Sequence, residues 1–328
     1  MRWSAIALAA VLAASLAQAA EPSLPDRAKA LIAAPLAPDA LFRLKQDLGA
    51  ERFKALNGEV MRQAFPELAR AQPGERVAVT GCNPAIQRLT ALMQMAAGTD
   101  DETQWRTRMA EADGALKRRA ALSQAADRRT EEAIGKSGAA SDPWRAELAR
   151  RVGRDQFVRS TLPDLSPPGG WTDGVSAPVR QYLNAAALAE MCAVDRDDTA
   201  WLQAEIARRG WPTISRDGKD ADQQAWLLVQ HADHDPAWQA EILAQLAELA
   251  PKGETNPKNY AYLFDRVAMK HGGPQRYGTQ GHCVGVGQWR PFDDEPGDLD
   301  ARRKSVGLPS EADYIAVFKT ICQKADGA

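Results

Sequence analysis

Apolar residues recur at helical spacing along most of the chain. Leu41, Leu44 and Leu48 form a stripe behind Asp39, which the pattern assigns as a helix cap. The turn Gly81-Cys82-Asn83 leads into Pro84, well suited to a first helical turn, and Ile86, Leu89, Leu92, Met93 and Met95 follow. Asp100 to Glu132 is highly charged and carries only sparse apolar residues (Trp105, Met109, Leu116, Leu122), which predicts a long surface helix or a helix pair. Val179 to Ala193 reads as an alanine-rich helix. Asp198 reads as the cap of a second helix, with Trp201, Leu202 and Ile206, ending at Gly210.

Further on, Trp226 to Val229 are apolar without a clean period, as in a helix buried on most sides. Asp235-Pro236 starts the next helix, whose face is Trp238, Ile242, Leu246 and Leu249. Tyr260, Leu263, Phe264, Val267 and His271 share one face of another, with Asp265 and Arg266 off that face. After Gly272-Gly273, Tyr277 and Thr279 and then Val284, Val286 and Trp289 suit short strands, with Gly281-His282 between them. Asp298 and Asp300 precede Arg302 and Arg303 in a short helix, Ser310 to Asp313 is a capping box, and Tyr314, Ile315, Val317, Phe318 and Ile321 pack the last helix. The expected fold is mainly α, multi-helical, with one small β-hairpin in the C-terminal part.

Two breaks interrupt the pattern. Gly135 to Pro143 marks a boundary between an N-terminal helical region, 20–140, and a C-terminal helical domain, 141–328. Pro163 to Pro178 is a long loop, read either as a lid or binding loop or as a plain surface excursion. Residues 1–19 have the Arg2 n-region, the apolar Ala5 to Leu16 and the small-x-small Ala17-Gln18-Ala19 of a signal peptide. The expected address is therefore exported, periplasmic or extracellular, with no transmembrane segment in the mature chain.

Composition narrows the function classes. Lys+Arg number 41 against 43 Asp+Glu, a net charge of -2, which argues against a general nucleic-acid binder because no basic excess neutralises phosphates. A 45% hydrophobic content excludes wholesale disorder. In an oxidising compartment the 4 cysteines suit two disulfides rather than four buried thiols. Of the three possible pairings, Cys283–Cys322 with Cys82–Cys192 is favoured; the former would tie the C-terminal helix to the loop before it. No CxxC exists, which disfavours a structural zinc site. Asp195, Asp197 and Thr199 lack the turn glycine of a calcium loop, and Asp293-Asp294-Glu295 reads as an exposed loop before a calcium site.

All 4 histidines, His231, His234, His271 and His282, lie in the last third of the chain. His231, Asp233, His234 and Asp235 mark a helix–helix corner where a histidine and a carboxylate in reach would serve acid–base chemistry. The bland alternative makes Asp235 an N-cap and the histidines partners of helix C-terminal carbonyls. A metal would need a further ligand that no spacing demonstrates, so no metal is assigned and any cofactor is unknown.

Gly210-Trp211-Pro212-Thr213, AWLLVQHADHDPAWQ from Ala225, AYLFDRV from Ala261 and PQRYGTQ from Pro274 succeed one another, with Asp155-Gln156 and Arg159 upstream. As a set they resemble a bacterial family known only as a domain of unknown function, over roughly Glu147 to Tyr314. Asp198-Thr199 stands where that pattern has Asn-Thr, and Asp217-Gly218 replaces a more apolar helix entry. The resemblance implies a domain and a motif set, and no reaction.

Three readings remain. The first is binding of a small polar ligand or peptide in a cleft between the His231 corner, the Asp265-Arg266 helix and the Gln275–Gln280 segment, through Trp211, Gln230, Arg266, Gln275, Tyr277 and Gln280. The second is a hydrolase using His231 with Asp233 or Asp265 as catalytic residues, with or without a metal. The third is a structural envelope protein.

Overall fold

A computed structural model describes residues 22–65, 82–163, 166, 168–285, 287–292, 297–319 and 322. The signal-like segment, the acidic run at 293–295, Val286 and Ile321 lie outside these residues. The described chain is mainly helical, with thirteen α-helices and one two-stranded antiparallel hairpin. No helix among the described residues is long and apolar enough to cross a membrane.

Five helices form the first part: α1 (Leu24–Ala33), α2 (Pro38–Leu48), α3 (Ala50–Ala64), α4 (Pro84–Ala97) and α5 (Glu102–Ser137). Pro84 opens α4 as the turn before it predicts, and Asn83 caps the helix. Asp39 does not cap α2. It lies in the first turn, Ala37 holds the cap position, and the Asp39 carboxylate accepts the Trp105 indole N–H at 3.0 Å. The sequence pattern could not anticipate that partner 66 residues away. Trp105 is fully buried and stacks on Phe42 with centroids 5.0 Å apart, anchoring the otherwise polar α5 in the first core.

The second part comprises α6 (Pro143–Ser160), α7 (Ala177–Arg209), α8 (Ile214–Asp217), α9 (Lys219–Gln230), α10 (Pro236–Leu249) and α11 (Pro257–Lys270), then β1 (Gly281–Gly285), β2 (Gln288–Pro291), α12 (Leu299–Ser305) and α13 (Glu311–Lys319). The two helices expected on either side of Asp198 are one helix of 33 residues. Asp198 is no cap: its carboxylate is buried against Arg151 at 2.8 Å, so tertiary pairing overrides the local signal.

Helix α7 connects two apolar cores. Val179 and Leu183, near its start, join the core of α1–α5, whereas Leu202 and Ile206 join Trp144, Leu148, Leu228, Ile242 and Leu263 in the second. The loop before α7 is pinned to the first core by buried Trp171, whose indole donates to the Thr161 carbonyl at 3.1 Å. Between the two cores, α7 runs beside α6 with the end of α9 close by, and there the polar residues gather.

The hairpin lies four residues later than its predicted start. Tyr277 and Thr279 belong to the preceding loop, and Gly281 and His282 are in β1. A side chain at Gly281 would meet Trp289 and the Arg290 carbonyl at 2.2 Å, so glycine permits this pairing. In the last helix Val317 is 62% exposed rather than packed, while Tyr314 and Phe318 cover Trp289. The cysteines pair as Cys82–Cys192 and Cys283–Cys322, an arrangement compatible with an oxidising compartment.

Candidate functional site

Three helices deliver one cluster. Asp155 and Arg159 stand one turn apart on α6, Asp195 faces them from α7, and His231 caps the C-terminus of α9. His231 Nδ1 lies 2.8 Å from Asp155 Oδ1, and Asp155 is 1% exposed. Gln156 donates to the other Asp155 oxygen at 2.8 Å. Arg159 Nε lies 3.1 Å from Asp155 Oδ1 and 3.0 Å from His231 Nδ1, and its Nη2 donates to Asp195.

The contact with Asp155 favours a proton on His231 Nδ1. A bare Nδ1 would set its lone pair against an ionised carboxylate oxygen at 2.8 Å. A proton on Nδ1 donates to Asp155 and leaves the single Arg159 Nε–H to the same carboxylate. Nε2 is then the basic nitrogen, and it has no hydrogen-bond partner among the described residues. An imidazole oriented through Nδ1 by a buried carboxylate is the arrangement of a proton acceptor.

The carboxylates differ electrostatically. Burial works against the Asp155 anion, but hydrogen bonding and attraction from His231, with Arg159 and Gln156, outweigh it and hold the carboxyl below its usual range. Burial prevails at Asp195 and raises its pKa despite Arg159. One turn later, burial pushes Asp198 up to about 7 against the pull of Arg151.

The cluster borders a cavity of about 220 Å³ lined by Cys82, Cys192, Asp195, His231, Asp233, His234 and Lys270. Burial opposes the Asp233 anion, but Arg266 and Lys270 hold its pKa low. Arg266 Nη1 lies 2.9 Å from both Asp233 oxygens, and its Nε donates to Gln230 at 3.0 Å. His234 is lowered by burial and by Arg196 nearby, against the attraction of Asp235 and Asp233. Asp235 is the N-cap of α10 and accepts a second bond from Gln203 at 2.9 Å.

Asp155, Asp195 and His231 are also the described group that comes nearest to a metal-ligand set, with one donor atom from each within 4.8 Å of the others. The Arg159 guanidinium already bonds both carboxylates and sits 3.0 Å from His231 Nδ1. A cation there would have to displace it, so the donor set as arranged fits an internal ion network better than a resident metal.

The remaining sequence candidates lie apart from this cavity. Asp265 is fully buried and accepts the backbone N–H of Arg276, Tyr277 and Thr279 and the Thr279 hydroxyl at 2.8–3.0 Å. It is not off the apolar face toward solvent, because the loop after α11 folds back over it. Gln275 is fully buried and ties the Gln280 and Phe292 carbonyls, while its own oxygen accepts from Gln280 N. Tyr277 packs on Tyr260 and Phe264. Trp211 is in the second core, its indole bonded at 2.8 Å to buried Asp222, which also holds Thr255, Asn256 and Asn259. His271 ends α11, and His282 stacks on Phe292.

Asp195, Lys270 and the Cys82–Cys192 pair had no signal marking them as neighbours of His231. Asp155 and Arg159 show a one-turn spacing, but their partner lies 76 and 72 residues away. No curated protein and no solved structure matches the chain. Residues 177–323, from the first turn of α7 to just beyond Cys322, match a family of unknown function (DUF6624), and Asp155 and Arg159 lie upstream of that match.

Proposed function

We propose that the chain binds a small polar ligand in the cavity beside His231, with Nε2 of the imidazole accepting a proton or hydrogen bond from it. The observation that carries this reading is the 2.8 Å contact between His231 Nδ1 and buried Asp155 at the edge of a cavity. Asp233 and Lys270 offer an acceptor and a donor on the same wall, and Gln230 and Arg266 set Asp233 in place. The opposed charges suit an uncharged or zwitterionic ligand better than a polyanion. Export through the N-terminal signal-like segment belongs to this reading, and both disulfides support it.

A thermal-shift screen of amino acids, short peptides and small polyols against the full mature chain tests the proposal. The expected result is a compound that stabilises the wild type and loses its effect with His231→Gln. Compounds that stabilise both proteins equally would place the ligand elsewhere.

A second reading has the same group activating water for hydrolysis. It is favoured by Nε2, which lacks an internal partner among the described residues, and its carboxylate is Asp155 rather than Asp233 or Asp265. It predicts turnover that falls at least ~100-fold in His231→Gln.

A further inference from the structure

We propose that the Cys82–Cys192 disulfide is a reactive wall of this cavity, and that the ligand class it takes is a small thiol. The inference rests on His231 as a proton acceptor and goes beyond it by assigning an electrophile. Both cysteines are half-buried and line the same cavity as His231. Cys192 stands three residues before Asp195 on α7, so the two share a helix face.

The leaving group has cationic neighbours. Arg196 donates to the Cys82 carbonyl at 2.9 Å, and Lys270 lines the cavity. The opposing charges are engaged, Asp195 with Arg159 and Asp233 with Arg266 at 2.9 Å. A thiolate released here meets positive charge, which lowers its pKa and speeds its departure. The other disulfide provides the contrast. Cys283 is exposed, but Cys322 is fully buried in the cluster of Trp289, Tyr314 and Phe318, where a leaving thiolate would be desolvated and uncompensated.

The step balances without an external oxidant. An incoming thiol gives its proton to His231 Nε2. The resulting thiolate attacks one sulfur of Cys82–Cys192, a new S–S bond forms, and the old bond breaks with its electron pair on the other cysteine. That cysteine takes the proton back from His231. The product is a mixed disulfide plus one protein thiol.

Reduced glutathione tests this on the full mature chain at pH 7, with acid quenching, alkylation of free thiols and peptide mass spectrometry. The expected adduct is on Cys82 or Cys192 and forms at least ~10-fold faster than any on Cys283 or Cys322. His231→Gln should slow the cavity adduct about tenfold without changing the rate at Cys283. Lys270→Gln, at a partly exposed position, should slow it about threefold by removing charge near the leaving group. Equal rates at the two disulfides, or faster reaction at Cys283, would overturn the proposal. So would selective reaction at Cys82–Cys192 that both variants leave unchanged. These rates are read on the cysteines alone, so their failure is distinguishable from failure of the ligand screen.

Discussion

Asp265 and Asp155 are both buried carboxylates on helices of the same chain, yet their hydrogen bonds serve opposite ends. Asp265 accepts three backbone N–H groups and a hydroxyl, all from the loop between α11 and β1. Its capacity is spent on holding that loop. Asp155 is met by side chains, and one of them is the His231 imidazole, a residue that also lines a cavity. A carboxylate filled by backbone donors is a bracket, whereas one that holds an imidazole is what the proposed function needs. Asp222 belongs with Asp265, because Trp211, Thr255, Asn256 and Asn259 consume its oxygens.

The largest expected effect breaks the bracket. Asp265→Ala leaves three backbone donors and the Thr279 hydroxyl unpaired inside the protein, and should cost about 3–5 kcal/mol of stability in urea denaturation. Burial raises the Asp265 pKa against the donors that stabilise its anion. Asp265→Asn, which keeps one acceptor, should cost less than the alanine variant.

Next comes the pH dependence of Asp198, whose ordinary value of 3.8 rises to about 7 on burial in the folded chain. Well below pH 3.8 both folded and unfolded states hold the proton and the group contributes nothing. Between 3.8 and about 7 the folded state alone retains the proton, so its stability falls as pH rises, and above about 7 the deficit is constant. Asp198→Asn should flatten this fall, which has a limiting slope of about 1.4 kcal/mol per pH unit, in denaturation at pH 5 and pH 8. An unchanged difference between the two pH values would remove Asp198 as its source.

The smallest stability effect belongs to the proposed site. His231→Gln should change stability by about 1 kcal/mol or less, because Arg159 still bridges Asp155 and Asp195, yet it should abolish ligand-dependent stabilisation. Asp233→Asn should cost less than ~1 kcal/mol, as its ion pair with Arg266 is half exposed. A large destabilisation by His231→Gln would move His231 into the same structural class as Asp265.

Local chemistry made much of this fold legible. The Asp235-Pro236 start, the start of α4 at Pro84 and the small C-terminal hairpin follow from turn and capping signals and from strand pattern. The misplaced features depend on distant partners. Asp198 resembles a cap until Arg151 approaches from α6, and Asp265 falls off an apolar stripe until the Arg276–Thr279 backbone closes over it. His231 was legible as a residue of interest, but its carboxylate was not. Periodicity reports which face of a helix is apolar, whereas the meeting of α6, α7 and α9 is set by how the second core packs.

Everything proposed for the cavity depends on Asp155 orienting His231. Long-range ¹H–¹⁵N correlation of the ring nitrogens at pH 8 reads it directly. The expected result is an imidazole proton on Nδ1 in the wild type, and loss of that tautomer preference in Asp155→Ala. A His231 ring protonated on Nε2, or one that samples both tautomers equally in the wild type, would contradict it.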